Sequence, residues 1–242
     1  MIILCAGFIF ESCTKSTFEI NEATAISIVM DTTDYHKLFP IADPILALYE
    51  FDDNINTEAY FRLSCISDKQ LTPVTEFHLE SGDETEKKNK HRISNFRENH
   101  VLIFYDKIRN TITSFSSLDT AIQSDYSECY RTIVNETKWL MEKTAGKKVL
   151  IIYSDLMENS DLYNFYEMNI STQVFEKEKV ISTLDSVFAL PDHLIGLEVY
   201  LVFQPKDRLE DARYQATSKL YKEMFESRGA MVKIQSNNDN YE

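Results

Sequence analysis

The sequence predicts an α/β fold: a three-layer α/β/α sandwich with a mostly parallel central sheet. Three observations lead there. Short runs rich in branched apolar side chains recur at 25–30, 149–153 and 197–203. Runs so dominated by apolar residues are how strands read when both faces of a sheet are covered. Stretches of helical periodicity lie between them, the alternation that a parallel sheet requires. The first two runs also end in oxygen-bearing side chains, Asp31-Thr32-Thr33-Asp34 and Ser154-Asp155. Ligands of open α/β sheets bind outside the carboxyl ends of the strands, so these are the candidate functional positions.

Composition narrows the function. With 43% hydrophobic and 12% aromatic residues in 242, the chain has the apolar surface for a sizeable core and does not read as disordered. A formal net charge of -14 gives a surface that repels phosphate backbones, which argues against nucleic acid. The glycines at 7, 82, 146, 196 and 229 never fall close together, so no glycine-rich phosphate loop can form and nucleotide binding lacks its main signature.

In chain order, residues 1–10 are apolar and then meet Glu11-Ser12-Cys13. Ten apolar residues are too few to span a bilayer but suit the core of a secretion signal. Phe10-Glu11-Ser12-Cys13-Thr14 resembles a bacterial lipoprotein box, although Glu11 lies inside it and no Lys or Arg precedes it. The resemblance implies cleavage of residues 1–12, lipid on Cys13, a tether over 13–24 and a domain held at the cell envelope. A buried first strand is the alternative. Cys65 and Cys129 then remain; they could form one disulfide, but both suit packing as small buried hydrophobes.

The domain proper is expected over 25–235. Asp43-Pro44 opens a short helix, with Pro where its missing N–H costs nothing. Glu58–Ser67 and Val74–Leu79 alternate as strands. A long helix is expected from about 86 to 112, with Ile93, Phe96, Ile103, Phe104 and Ile108 on one face, interrupted at Ser114–Ser117. A second runs from about Leu118 to Lys143 through Ile122, Tyr126, Cys129, Ile133 and Leu140. Leu162–Tyr166 reads as a short strand or turn, and 175–189 as a helix before Pro191. Asp207, Glu210 and Asp211 open the best helix, acids at the positive end of its dipole, with Leu209, Ala212, Ala216, Leu220 and Met224 as its stripe and Gly229 as its cap. Met231–Ile234 is the last strand, and 236–242 reads as a frayed polar tail.

Asp31-Thr32-Thr33-Asp34-Tyr35, Ser116-Ser117 before a helix, and Ser154-Asp155 closing a later strand fall in an order that resembles the von Willebrand factor A domain. That family's metal-ion-dependent adhesion site takes ligands from three such loops. The resemblance covers roughly 25–235 and implies metal ligands at Asp31, Thr33, Ser116 or Ser117, and Asp155. Tyr35 stands where the family's Asp-x-Ser-x-Ser ends in serine, and Leu156 where its Thr-Asp-Gly has glycine. Two carboxylates, hydroxyls and waters suit Mg²⁺ or another divalent cation, with a position left for a partner's carboxylate.

A strand ending in Asp31 is also similar to that of the haloacid-dehalogenase phosphotransferases, but Thr33 stands where that family needs a second aspartate. The reading that follows is a non-catalytic, lipid-anchored module that binds a protein partner through a degenerate adhesion site. Its rivals are a hydrolase or phosphotransferase using Asp31 as nucleophile, and a structural subunit of an envelope assembly with a decayed metal site.

Overall fold

The structure, a computed structural model, describes residues 23–33, 38–66, 74–82, 94–116, 126–167, 177–237 and 241. Its elements are β1 (Thr24–Asp31), α1 (Ala42–Ala47), β2 (Ala59–Ile66), β3 (Val74–Leu79), α2 (Ser94–Ser116), α3 (Cys129–Glu142), β4 (Lys147–Tyr153), α4 (Lys177–Val187), β5 (Leu197–Val202), α5 (Arg208–Glu226) and β6 (Met231–Gln235). The six strands form one sheet in the order β3-β2-β1-β4-β5-β6. Every pairing is parallel except that of β3 with β2. The expected three-layer α/β architecture is what the chain adopts.

The sheet is central because its middle strands are apolar on both sides. All eight residues of β1 are buried, as a strand between two helical layers must be. On one face α3, α4 and α5 pack over Ala25, Val29, Leu150, Ile152, Val199 and Leu201. On the other, α1 and α2 supply Ile45, Leu46, Phe104 and Ile108 against Ile26, Ile28, Phe61 and Leu63. The layers are unequal. Among the described residues the second face carries two helices, the longer of them against β3, while Tyr241 lies against Tyr153 and Tyr200 of β4 and β5.

One polar cluster fixes α3 on the sheet. Glu136 is 2% exposed, yet its carboxylate accepts the Ser27 hydroxyl (2.7 Å) and the Ser64 hydroxyl (2.6 Å) and pairs with Arg62 (2.9 Å). A buried carboxylate survives only when its lone pairs are satisfied in this way. Because the donors come from β1 and β2, the cluster sets where along the sheet the helix sits.

Several elements differ from expectation for physical reasons. The helix α2 does not stop at Ser114; it continues to Ser116, and the Ser114 hydroxyl bonds back to the Asn110 carbonyl (2.7 Å). Its buried stripe is Val101, Phe104, Ile108 and Ile112, whereas Phe96 and Ile103 are exposed, so the inward face is rotated from the one expected. Tyr126–Glu128 are not helical: Ser127 pairs through its backbone with Asn159, and α3 begins at Cys129. The helix α5 starts as expected, with the Asp207 carboxylate accepting the Leu209 and Glu210 N–H groups. Leu209 nevertheless points outward, and Tyr214, Leu220, Tyr221 and Met224 carry the buried stripe. Gly229 follows α5 at φ +93, a conformation glycine adopts without strain. Cys65 and Cys129 are buried free thiols.

Candidate functional site

The strand order creates one special crevice. The connections from β1 lead to β2 on one side, and those from β4 lead to β5 on the other, so the chain diverges between β1 and β4. In sheets of this order the cleft outside the carboxyl ends of the diverging strands is where ligands bind. Asp31 ends β1, and Ser154-Asp155 follow β4 directly. The two polar segments singled out from the sequence therefore flank this crevice.

Asp31 ties the two strand ends together. It is 3% exposed. Its Oδ1 accepts the Thr33 backbone N–H (2.9 Å) and the Thr33 hydroxyl (2.6 Å), and its Oδ2 accepts the Ser154 hydroxyl (2.9 Å). The Ser154 oxygen in turn accepts the Leu156 N–H (2.9 Å). Thr32 belongs to the other seam: its hydroxyl donates to the Ile66 carbonyl (2.8 Å), joining the end of β1 to β2. The Asp155 carboxylate turns back into its own loop to accept the Met157 N–H (3.0 Å), while its carbonyl takes the Thr217 hydroxyl of α5 (2.9 Å). Leu156, fully buried, holds φ at +61, a left-handed conformation that costs a branched side chain energy.

Beside this edge lies a second acid that the sequence reading did not single out. Glu158 is 1% exposed and accepts the Tyr130 N–H (2.7 Å) and the Cys129 N–H at the first turn of α3. The helix has no side-chain cap from its own Glu128, so Glu158 supplies the acceptor that the first N–H groups of α3 require. Burial pushes its carboxyl up to about 7 against the lowering effect of these hydrogen bonds. Glu158, Ser160, Tyr126, Glu128, Arg131 and Phe188 are among the residues around a small cavity of about 190 Å³. The only sequence signal for this acid was its place a few residues after a strand end. Its partner helix begins 29 positions earlier, and no local pattern links the two.

Thiol chemistry is suppressed here. Burial, reinforced by the Asp31 charge, pushes the Cys65 thiol up to about 12. Burial and the Glu158 and Asp31 charges raise Cys129 well above the ordinary thiol range. Both sulfurs are protonated at neutral pH, which removes the thiolate needed of a nucleophile.

Of the five proposed metal ligands, Asp31 and Thr33 are in direct contact, and Asp155 lies on the neighbouring loop with its carboxylate in its own turn. The backbone of Ser116 closes α2. The Ser116 side chain, Ser117, and the lipidation candidate Cys13 lie outside the described residues, as do Asp34 and Tyr35. No three His, Cys, Asp or Glu side chains converge on a metal position among the described residues. Oδ1 of Asp31 takes two hydrogen bonds and Oδ2 a third. No described helix is long and apolar enough to cross a membrane. No protein-family model matches the chain, and no curated protein matches it.

Proposed function

We propose that this chain is a non-catalytic binding module, anchored to the bacterial cell envelope by lipid on Cys13, that engages a protein partner at the carboxyl edge of its sheet. The observation that carries the reading is the position of Asp31 and Ser154-Asp155 on either side of the crevice where β1 and β4 diverge. The resemblance to von Willebrand factor A domains gains support from one backbone angle. Leu156, at the position where that family has glycine, sits at φ +61, the conformation glycine takes freely.

A catalytic role for Asp31 is disfavoured by its surroundings. A nucleophilic carboxylate must present an oxygen to substrate, whereas Asp31 is buried with both oxygens accepting bonds from Thr33 and Ser154. Phosphate recognition at α3 is disfavoured likewise, since Glu158 already occupies the helix amino-terminus.

The test is position-specific photocrosslinking in cells that make the protein. A benzophenone side chain at exposed Gln204, just beyond β5, is expected to trap a partner, and one at Asp53, before β2 at the opposite edge, is not. Crosslinks from Asp53 alone would refute the assignment of the edge. A cation-bridged contact is the second reading, favoured by the Thr33 hydroxyl lying 2.6 Å from Asp31. It needs Ser116 or Ser117 to complete the ligand set. Calorimetric titration of Mg²⁺ and Mn²⁺ decides it: one ion per chain, lost in Asp31→Ala, supports a cation, and no binding heat removes it.

A further inference from the structure

The sheet ends laterally in β3 and β6, and β3 is the longer of the two. Among the described residues nothing pairs with the outer side of β3, so its outward N–H and C=O groups are a template for another strand. Its side chains alternate between the two faces of the sheet. Phe77 and Leu79 pack on the α2 side, with Thr75 in the same row. Val74, Glu76 and His78 face the other way, where Glu76 accepts the Trp139 Nε1–H of α3 (3.2 Å).

The helix α2 leaves an apolar flank beside this edge. Val101, Phe104, Ile108 and Ile112 point at the sheet. On one flank Tyr105 and Arg109 reach Leu46 and Asp43 of α1. The opposite flank is the line Phe96, His100, Ile103 and Lys107. Phe96 is 57% and Ile103 52% exposed, and the Phe96 and His100 rings lie 4.3 Å apart. Lys107 lies over the Phe77 ring at 5.8 Å, so this flank overlooks β3 on the side away from α1.

The strand that fits is read from β3 itself. Two copies paired antiparallel about a two-fold axis keep opposite residues on the same face. Centred on Phe77, the register sets Phe77 against Phe77, Thr75 against Leu79, and Glu76 against His78 twice. Aromatic pairs and pairs of opposite charge are what stabilise antiparallel neighbours. Centred one residue earlier, Glu76 meets Glu76; one residue later, Glu76 meets Glu80. Both alternatives oppose like charges. The two-fold axis also keeps both α2 helices on one side of the joined sheet, with their Phe96 and Ile103 flanks facing each other over the junction.

We propose that the outer edge of β3 is a self-association surface, at which a second copy of this chain adds its own β3 in the register centred on Phe77. The two sheets then become one. The crevice between β1 and β4 lies at the end of the strands, not at this lateral edge, and stays free for a different partner.

The test uses the full chain carrying Cys5→Ser and Cys13→Ser, in which buried Cys65 and Cys129 are the remaining native thiols. Sedimentation equilibrium over a concentration series is expected to reach twice the 28.2 kDa mass of the chain. His78→Glu, with native circular dichroism, sets like charges opposite each other twice and is expected to weaken the dimer about tenfold. Glu76 and His78 are both exposed, so cysteine at either leaves the core intact. Mixed Glu76→Cys and His78→Cys chains, oxidised with copper-phenanthroline, are expected to form an interchain disulfide, since opposite residues of antiparallel strands fall within disulfide reach. Either variant oxidised alone is expected to run as a monomer on a non-reducing gel. A monomer at every concentration overturns the proposal. A dimer that gives no disulfide in the mixture, or gives one equally with either variant alone, overturns it too and moves the contact to another surface or register.

Discussion

Replacing Glu158 with glutamine isolates the cost of a buried charge. In the unfolded chain this carboxyl titrates at an ordinary 4.5; in the folded chain burial raises it to about 7. The folded state therefore holds the proton more tightly. The stability that this contributes is fully present below pH 4.5, declines as pH rises, and is gone once pH passes the folded value near 7. The difference between the two values corresponds to about 3 kcal/mol at most. A glutamine oxygen still accepts the Tyr130 N–H but carries no charge at any pH. Urea unfolding followed by circular dichroism at pH 5, 6, 7 and 8 reads the effect. Glu158→Gln is expected to match the wild type near pH 5 and to exceed it increasingly toward pH 8. Parallel stability profiles for the two chains would refute the claim that Glu158 is desolvated at the start of α3.

Three further substitutions test the site and its support. At Leu156, Gly is expected to be more stable than Ala by about 1 kcal/mol, because only the φ of +61 reverses their usual order; urea midpoints showing Ala ahead would dispose of the left-handed turn. Asp31→Ala strips the acceptor from Thr33 N–H, Thr33 O–H and Ser154 O–H, and is expected to cost about 3 kcal/mol, with Asp31→Asn milder because its oxygen retains the two Thr33 bonds. Wild-type stability in Asp31→Ala would show that the carboxylate does not brace the two strand ends. Glu136→Ala leaves Arg62, Ser27 and Ser64 without their shared partner, and a loss of about 3 kcal/mol in the same assay is expected.

The parts of the fold legible in the sequence are those specified by a run of residues acting alone. β1 and β4 are read from short runs rich in branched apolar residues, and α5 from Asp207 and the acids of its first turn. What the sequence concealed depends on partners far along the chain. The start of α3 is set by Glu158 and by the pairing of Ser127 with Asn159, so a stripe that included Tyr126 placed it too early. Phe96 and Ile103 share the helical period of Phe104, and only packing decides which of them faces inward. The site divides in the same way. Asp31 and Asp155 were legible as strand-end acids, whereas the bond from Ser154 to Asp31 requires the strand order, which periodicity does not carry. Tyr241, at the end of a polar stretch, offered no local sign that its ring is buried.

The position of β1 also governs the order in which the chain can assemble. β1 meets β2 about 35 positions on, but its other edge has no partner until residues 147–153 exist, and Ser154 stands 123 positions from Asp31. A nascent chain therefore carries β1, buried along its whole length in the fold, with one row of amides bare until residues 147–153 have been made. Such an edge is a template to which other chains add. Pairing over this distance is also slow, since a long loop must close before any contact rewards it. The acidic excess of the sequence acquires a use here, because mutual repulsion keeps unfinished copies apart while β1 waits for its second partner.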